Sequence, residues 1–239
     1  MYHHLNGEFD EVRVIKEEQV SRKKLLKGRI RRLGVGPVAS QLMFMGLVIP
    51  LLRKRSKSQA QKIKRLHKLN DTPIPSDKIY RVPSVNSEAC RTLLRDLNYD
   101  LIVINGTRII GSKTLDEITC PIVNTHAGIT PAYRGVHGGY WALWNDEPEY
   151  CGVTIHRVDK GIDTGSVLAQ GNIRPSSQDN FITYPLLQLA VGLPLLTSTL
   201  RELELNPKYQ GSEPLVDRSK LYYHPTMRQY LSGMLRGVF

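Results

Sequence analysis

Two apolar runs constrain this chain more than any other feature, Leu101 to Ile104 in "YDLIVIN" and Ile122-Val123 in "PIVNTH", and "CGVTIHRV" reads as a further strand. Runs that are apolar at successive positions, rather than alternate ones, belong to strands covered on both faces. Helical patterns lie between them. "NSEACRTLLRDLN" (86–98) is amphipathic with Asn86 or Ser87 at its N-cap, a short helix is expected near 112–118, and "HGGYWALWND" (137–146) reads as helix. Earlier strands are expected at about 11–15 and in "KIYRVP" (78–83), and a later one in "SVLAQGNI" (166–173). A helix over 180–203, interrupted by Gly192 and Pro194, follows. This alternation predicts an α/β fold with a mostly parallel, doubly wound sheet. In such sheets the chemistry sits just beyond the carboxyl ends of the strands.

Hydrophobic residues make up 41% of the 239 and charged residues 23%, enough apolar surface for a core and too little charge for a disordered polyelectrolyte. The net charge of +11 is local. Of 33 Lys and Arg, 15 fall between Arg22 and Lys68, where there is no Asp or Glu; the remaining 18 face 22 acidic residues. The segment reads as helices at about 19–32, 38–52 and 56–69. Its apolar middle, Pro37 to Leu52, is about sixteen residues long, against the roughly twenty that a bilayer-spanning helix needs. The expectation is an apolar helix packed on the body with cationic ends in solvent; the rival is a peripheral membrane contact. Nucleic acid is not the expected partner, because the rest of the chain is acidic.

Cys90, Cys120 and Cys151 are odd in number and widely spaced, which argues against disulfides and a structural zinc and for a reducing compartment. No secretory signal opens the sequence, so the expected location is cytoplasmic. "GVGPVA" lacks the dinucleotide spacing, there is no P-loop, and no metal site is expected.

The chemistry gathers where strands end. "PIVNTH" finishes on Asn124 and His126, and "CGVTIHRVDKGIDTG" leaves its strand through Asp159 and Asp163. A carboxamide can donate to a developing oxyanion, an imidazole can move protons near neutral pH, and a carboxylate can orient the imidazole. No G-x-S-x-G elbow and no cysteine accompany them, so the nucleophile must come from a substrate. His126 could instead be a satisfied strand-end histidine and Asp159 a solvated loop carboxylate. His156, inside a strand, reads as structural, and Trp141 and Trp144 read as core.

"NTHAGITPAYRG", "YWAL" and "CGVTIHRVDKGIDTGSVLAQ", in this order, resemble the folate-dependent formyltransferases, whose members include sugar-amine and Met-tRNA enzymes. The resemblance covers about 78–175. It implies a formyltransferase-like Rossmann variant that moves a formyl group from 10-formyltetrahydrofolate to a primary amine. Asn124, His126 and Asp163 would be catalytic. Arg108, Ile109, Ile110, Val158, Asp159 and Ile162 would line the folate pocket, and Arg134 and His137 would hold the loop or the acceptor. Ala127-Gly128 stands where many members have Pro-Ser, a variant closer to the sugar-amine enzymes, so the expected acceptor is an amino sugar on a nucleotide.

The resemblance also implies a first strand that this sequence lacks: "MYHHLNGEFDEVRVI" reads as the end of the first helix and the second strand. The expected organisation is therefore a partial strand region (1–18), a basic helical insert (19–70), the catalytic core (71–205) and a C-terminal tail (206–239). A homodimer is a further expectation. The rival readings are a catalytically weak module docking on membrane or RNA, a formyl-folate hydrolase, and a Met-tRNA formyltransferase.

Overall fold

The structure is a computed structural model that describes residues 1–211 and 218–239. Helix α1 (Tyr2–Leu5) leads to strand β1 (Val14–Glu17), then to helices α2 (Arg22–Leu33), α3 (Val35–Met43), α4 (Ile49–Arg55) and α5 (Lys57–Leu66). A π-helical turn over Phe44–Val48 joins α3 to α4, so one helix runs from Val35 to Arg55. Next come β2 (Ile79–Val82), α6 (Glu88–Asp96), β3 (Ile102–Ile104), α7 (Ser112–Leu115), β4 (Ile122–His126), β5 (Arg134–Gly135) and α8 (Gly138–Trp144). The chain closes with β6 (Gly152–Arg157), β7 (Val167–Asn172), α9 (Tyr184–Leu205), β8 (Leu221–Tyr222) and α10 (Met227–Met234).

The fold is α/β, as the alternation requires. Parallel pairing joins β1 to β2 and β3 to β4, whereas β6 runs antiparallel to both β4 and β7 in a sheet ordered β3-β4-β6-β7. The reversal follows from the connections: the chain crosses over through α7 between β3 and β4, but turns back after β4. Among the described residues no strand joins the β1-β2 pair to the four-stranded sheet. Helix α6 spans them instead, with Ile15 of β1, Val82 of β2 and Ile102 of β3 packed around Cys90 and Leu94. Ser87, one of the two expected caps, accepts the Cys90 N–H at 3.2 Å.

The larger sheet divides its residues by face. Val123 and Ile155 pack against Leu196, Leu200 and Leu203 of α9. Gly192 lets α9 approach closely, since a Cβ there would stand 3.0 Å from Val153 Cγ2. The helix is continuous through Gly192 and Pro194, so the expected interruption is not found; Leu193 and Leu196, both buried, hold it on the sheet across the missing N–H. Alternation sends Asn124, His126 and His156 to the opposite face.

The insert forms its three helices close to the expected positions, with Phe44 fully buried against Phe181 and Tyr230. Of the expected C-terminal tail, 212–217 lie outside the described residues, and much of the rest packs on the body. Strand β8 pairs in parallel with β5, and Tyr230 and Val238 are buried in the core around Trp141. Aromatic packing explains this: Tyr222 stacks on Tyr133 at 5.0 Å and on Trp141 at 5.4 Å.

Candidate active site

Register builds the cluster. Asn124 and His126 lie two residues apart on β4 and share a face; the antiparallel pairing sets His156 of β6 directly opposite Asn124. Asp163 arrives on the loop after β6 with φ +51°, a left-handed conformation that aspartate tolerates better than most residues. Its Oδ2 accepts the Gly135 N–H at 2.9 Å and lies 3.4 Å from His126 Nδ1. Its Oδ1 is 3.4 Å from Asn124 Nδ2 and 3.7 Å from His156 Nε2.

The hydrogen bonds fix much of the protonation. His156 Nδ1 lies 2.7 Å from the Arg157 carbonyl oxygen, which can only accept, so Nδ1 carries the proton. Its Nε2 then accepts from Asn124 Nδ2 at 3.1 Å. The amide nitrogen of Asn124 therefore spends both its hydrogens inside the cluster, on His156 and towards Asp163.

His126 is differently placed. Its Nε2 faces the Tyr133 carbonyl oxygen at 2.8 Å while Nδ1 faces the Asp163 carboxylate. A neutral imidazole has one proton for two acceptors, so one nitrogen is always mismatched; a second proton would satisfy both. Burial pushes the His126 pKa down, against the pull of Asp163 and the Tyr133 carbonyl. Burial would raise the Asp163 carboxyl, but the two neighbouring imidazoles, His156 and His126, and the Gly135 N–H outweigh it and hold it at about 2. The result is an ionised carboxylate beside a ring that gains partners by taking a proton.

The loop after β4 closes over this cluster only because it is built of glycine. A Cβ on Gly138 would meet Gly128 Cα at 2.5 Å, and one on Gly128 would meet the Tyr133 carbonyl oxygen at 2.6 Å. Arg134 Nη1 donates to the Ile162 carbonyl at 3.0 Å, clasping this loop to the one that carries Asp163, and its buried Nε has no partner.

Asn124, His126 and Asp163 therefore come together, with Arg134 bracing them. Ile109 and Ile162 are left 61% and 37% exposed on the loops that follow β3 and β6, the two neighbours of β4. Other expected positions serve the scaffold. The Arg108 guanidinium pairs with Glu17 and donates to the Glu18 carbonyl at 2.7 Å, tying β1 to the loop after β3. Ile110 packs against the α6 cluster. Val158 extends the β4 ladder by donating to the Ile122 carbonyl at 2.9 Å. Asp159 accepts from Gly161 N and Thr164 Oγ1 within its own loop. His137 pairs with His224 at 2.9 Å and lies against Phe181, a contact that takes it out of the cluster. His156, read as structural from its position in a strand, is in direct contact with Asn124; the signal was the antiparallel register. Among the described residues no group of three or more His, Cys, Asp or Glu could hold a metal.

The formyl transferase family model matches residues 49–183, more than half of the chain. The chain belongs to the formyl transferase family. Among its relatives, the methionyl-tRNA formyltransferase of Halothermothrix orenii is 30% identical over 158 residues, which is 62% of this chain and 50% of that protein. The methionyl-tRNA formyltransferase of Thermodesulfovibrio yellowstonii is 33% identical over 156 residues, 61% of this chain and 50% of that protein. The chain thus spans about half the length of the curated relatives it matches. A sugar N-formyltransferase from a Shewanella species superposes with a TM-score of 0.51 at 20% identity, covering 80% of this chain and 83% of that one; the two share a fold. The matched segment of this formyl transferase family member contains Asn124, His126 and Asp163 and ends at Thr183, the residue before α9.

Proposed function

We propose that this formyl transferase family member transfers a formyl group from 10-formyltetrahydrofolate to the primary amine of a nucleotide-linked amino sugar. The observation that carries the reading is the Asn124–His126–Asp163 cluster at the carboxyl end of β4, within the segment that matches the family. The exposed Ile109 and Ile162 flank it and suit one face of a flat, partly apolar donor; Asn124 lies between their loops. When bound, the donor supplies an electrophilic formyl carbon on a nitrogen that can leave.

Asn124 would turn one N–H out of the cluster and donate it to the formyl oxygen as negative charge builds there. His126 would take the proton that the attacking amine loses, because the second proton resolves its mismatch between Tyr133 and Asp163. Asp163 would stay ionised and stabilise the imidazolium. The balance closes as the amine nitrogen bonds to the formyl carbon, the bond from that carbon to the folate nitrogen breaks, and the proton passes through His126 to the departing nitrogen. His156 would hold the Asn124 amide until the oxygen displaces it. A donor in this place also suits a cytoplasmic protein, the location expected of the reducing-compartment cysteines.

A second acceptor, methionyl-tRNA, is favoured by the names of the relatives. The Ala127-Gly128 variant favours the sugar. The test is to incubate the chain with 10-formyltetrahydrofolate and, separately, nucleotide-linked amino sugars and Met-tRNA, with products followed by mass spectrometry. Formylated sugar with equimolar tetrahydrofolate supports the reading. Formyl-methionine without formylated sugar replaces the acceptor, and free formate as the only product overturns transfer in favour of hydrolysis.

A further inference from the structure

The helix from Val35 to Arg55 is apolar on more than one face, yet the body covers one of them. Val38, Gln41 and Phe44 are buried, whereas Leu42, Met43, Leu47 and Leu51 are 46%, 54%, 59% and 63% exposed. Helix α2 lies alongside, with Arg29 reaching Met45 Sδ at 3.8 Å, and it buries none of its residues; Leu25 and Ile30 add to the open apolar surface. A helix that is apolar all round is ordinarily buried or in lipid, and an open patch of this kind needs an occupant.

The charges around the patch say which. Arg22 to Lys24 open α2 and Arg53 to Arg55 close α4, and from Arg22 to Lys68 there is no acidic residue. A second copy of the chain seated here would bring the same cations against these, since a twofold contact is made by the same patch on both partners. RNA would answer the charge but has no use for leucine and methionine. Single-stranded nucleic acid is held by exposed aromatic rings, and the one aromatic residue between Arg22 and Arg55 is Phe44, fully buried. A bilayer with anionic headgroups answers both features at once, taking the apolar side chains into its interface and the cations at its surface. By length and composition the helix could cross a membrane, but Phe44 is locked between Phe181 and Tyr230. It therefore lies on the surface rather than through it.

We propose that the α2–α4 face docks this protein on anionic lipid bilayers, independently of formyl transfer. The test is flotation of the full chain with phosphatidylcholine vesicles, alone or with about 20% phosphatidylserine. The expected result is binding to the anionic vesicles about tenfold or more stronger than to neutral ones. The exposed-site variant L47E/L51E should lose about tenfold or more of that binding, and R53Q/K54Q/R55Q about fivefold per charge removed, both with unchanged circular dichroism. No flotation with anionic vesicles overturns the proposal, as does equal binding to neutral ones. So does a dimer that L47E/L51E dissociates while vesicles fail to bind, which would make the occupant a second copy. RNA binding that follows the Arg53–Arg55 substitutions and ignores those at Leu47 and Leu51 would overturn it in favour of RNA.

Discussion

The end of the four-stranded sheet and the helices between Arg22 and Arg55 solve opposite problems. At the sheet end the ionisable groups meet one another: Asp163 has a hydrogen bond to Gly135 and lies beside both His126 and His156, and the loop above it is sealed by glycine against glycine. In the helices the cations have few carboxylates to meet and the leucines face outward. A region whose charges are matched inside the chain can tune a pKa; one whose charges and apolar groups are unmatched is suited to something outside it.

Breaking the matched region should have the largest effect. Asp163→Asn keeps the shape but removes the charge that would stabilise a protonated His126. It should lower kcat/KM by about 10³-fold, on the scale of general acid–base contributions, read as initial rates of tetrahydrofolate formation. Asn124→Ala removes the proposed donor to the formyl oxygen and should cost about 10²-fold in kcat with less change in KM. His156→Gln, which offers its neighbour a carboxamide, should be milder than either and should appear in kcat rather than in donor binding.

Between the two regions sits the His137–His224 pair, where the His224 carbonyl accepts from Gln41 of α3 at 2.7 Å. Burial, aided for His137 by His224 and for His224 by Arg29, holds these rings down to about 3 and about 4, from an ordinary value of 6.5. Depressed histidines leave the unfolded chain holding more protons below pH 6.5, so their contribution is fully present above that value. It is lost as the pH falls towards the folded values. The loss should be on the order of 3 kcal/mol for each ring by about pH 4, visible as a falling Tm, and His224→Gln should flatten that slope. Asp163 adds a separate acid limb, complete above its ordinary 3.8 and lost as the pH falls towards about 2.

The smallest effect is expected where the open region is touched. Lys23→Gln with Lys24→Gln, at exposed positions of α2 with no acidic neighbour in sequence, should change stability by less than about 0.5 kcal/mol in urea titration and leave formyl transfer unchanged. A larger change would mean that these helices are coupled to the sheet end.

How much of this could be read beforehand depended on the range of the signal. The strands at 102–104 and 122–126 announced themselves through the apolar runs Leu101 to Ile104 and Ile122-Val123, and the insert through one apolar helix between two cationic stretches. Asn124, His126 and Asp163 were visible because strand ends and family motifs coincide there. His156 was not, because its role depends on β6 running antiparallel to β4, which no local pattern encodes. His137 stayed open between loop and acceptor because its partner lies 87 residues away. Arg108 looked like a ligand of the donor because Glu17, its ion-pair partner, belongs to a distant strand. The tail's place in the body rests on β5 and β8, each two residues long and too short to carry a period. Gly192 and Pro194 suggested a break because local propensity argues for one; packing on β6 decided otherwise.

The most direct measurement compares initial rates of formyl transfer for the full chain, Asp163→Asn and L47E/L51E, with circular dichroism confirming that each is folded. The account predicts that Asp163→Asn loses about three orders of magnitude while L47E/L51E keeps the full rate. A folded Asp163→Asn variant that transfers formyl as fast as the original would contradict it.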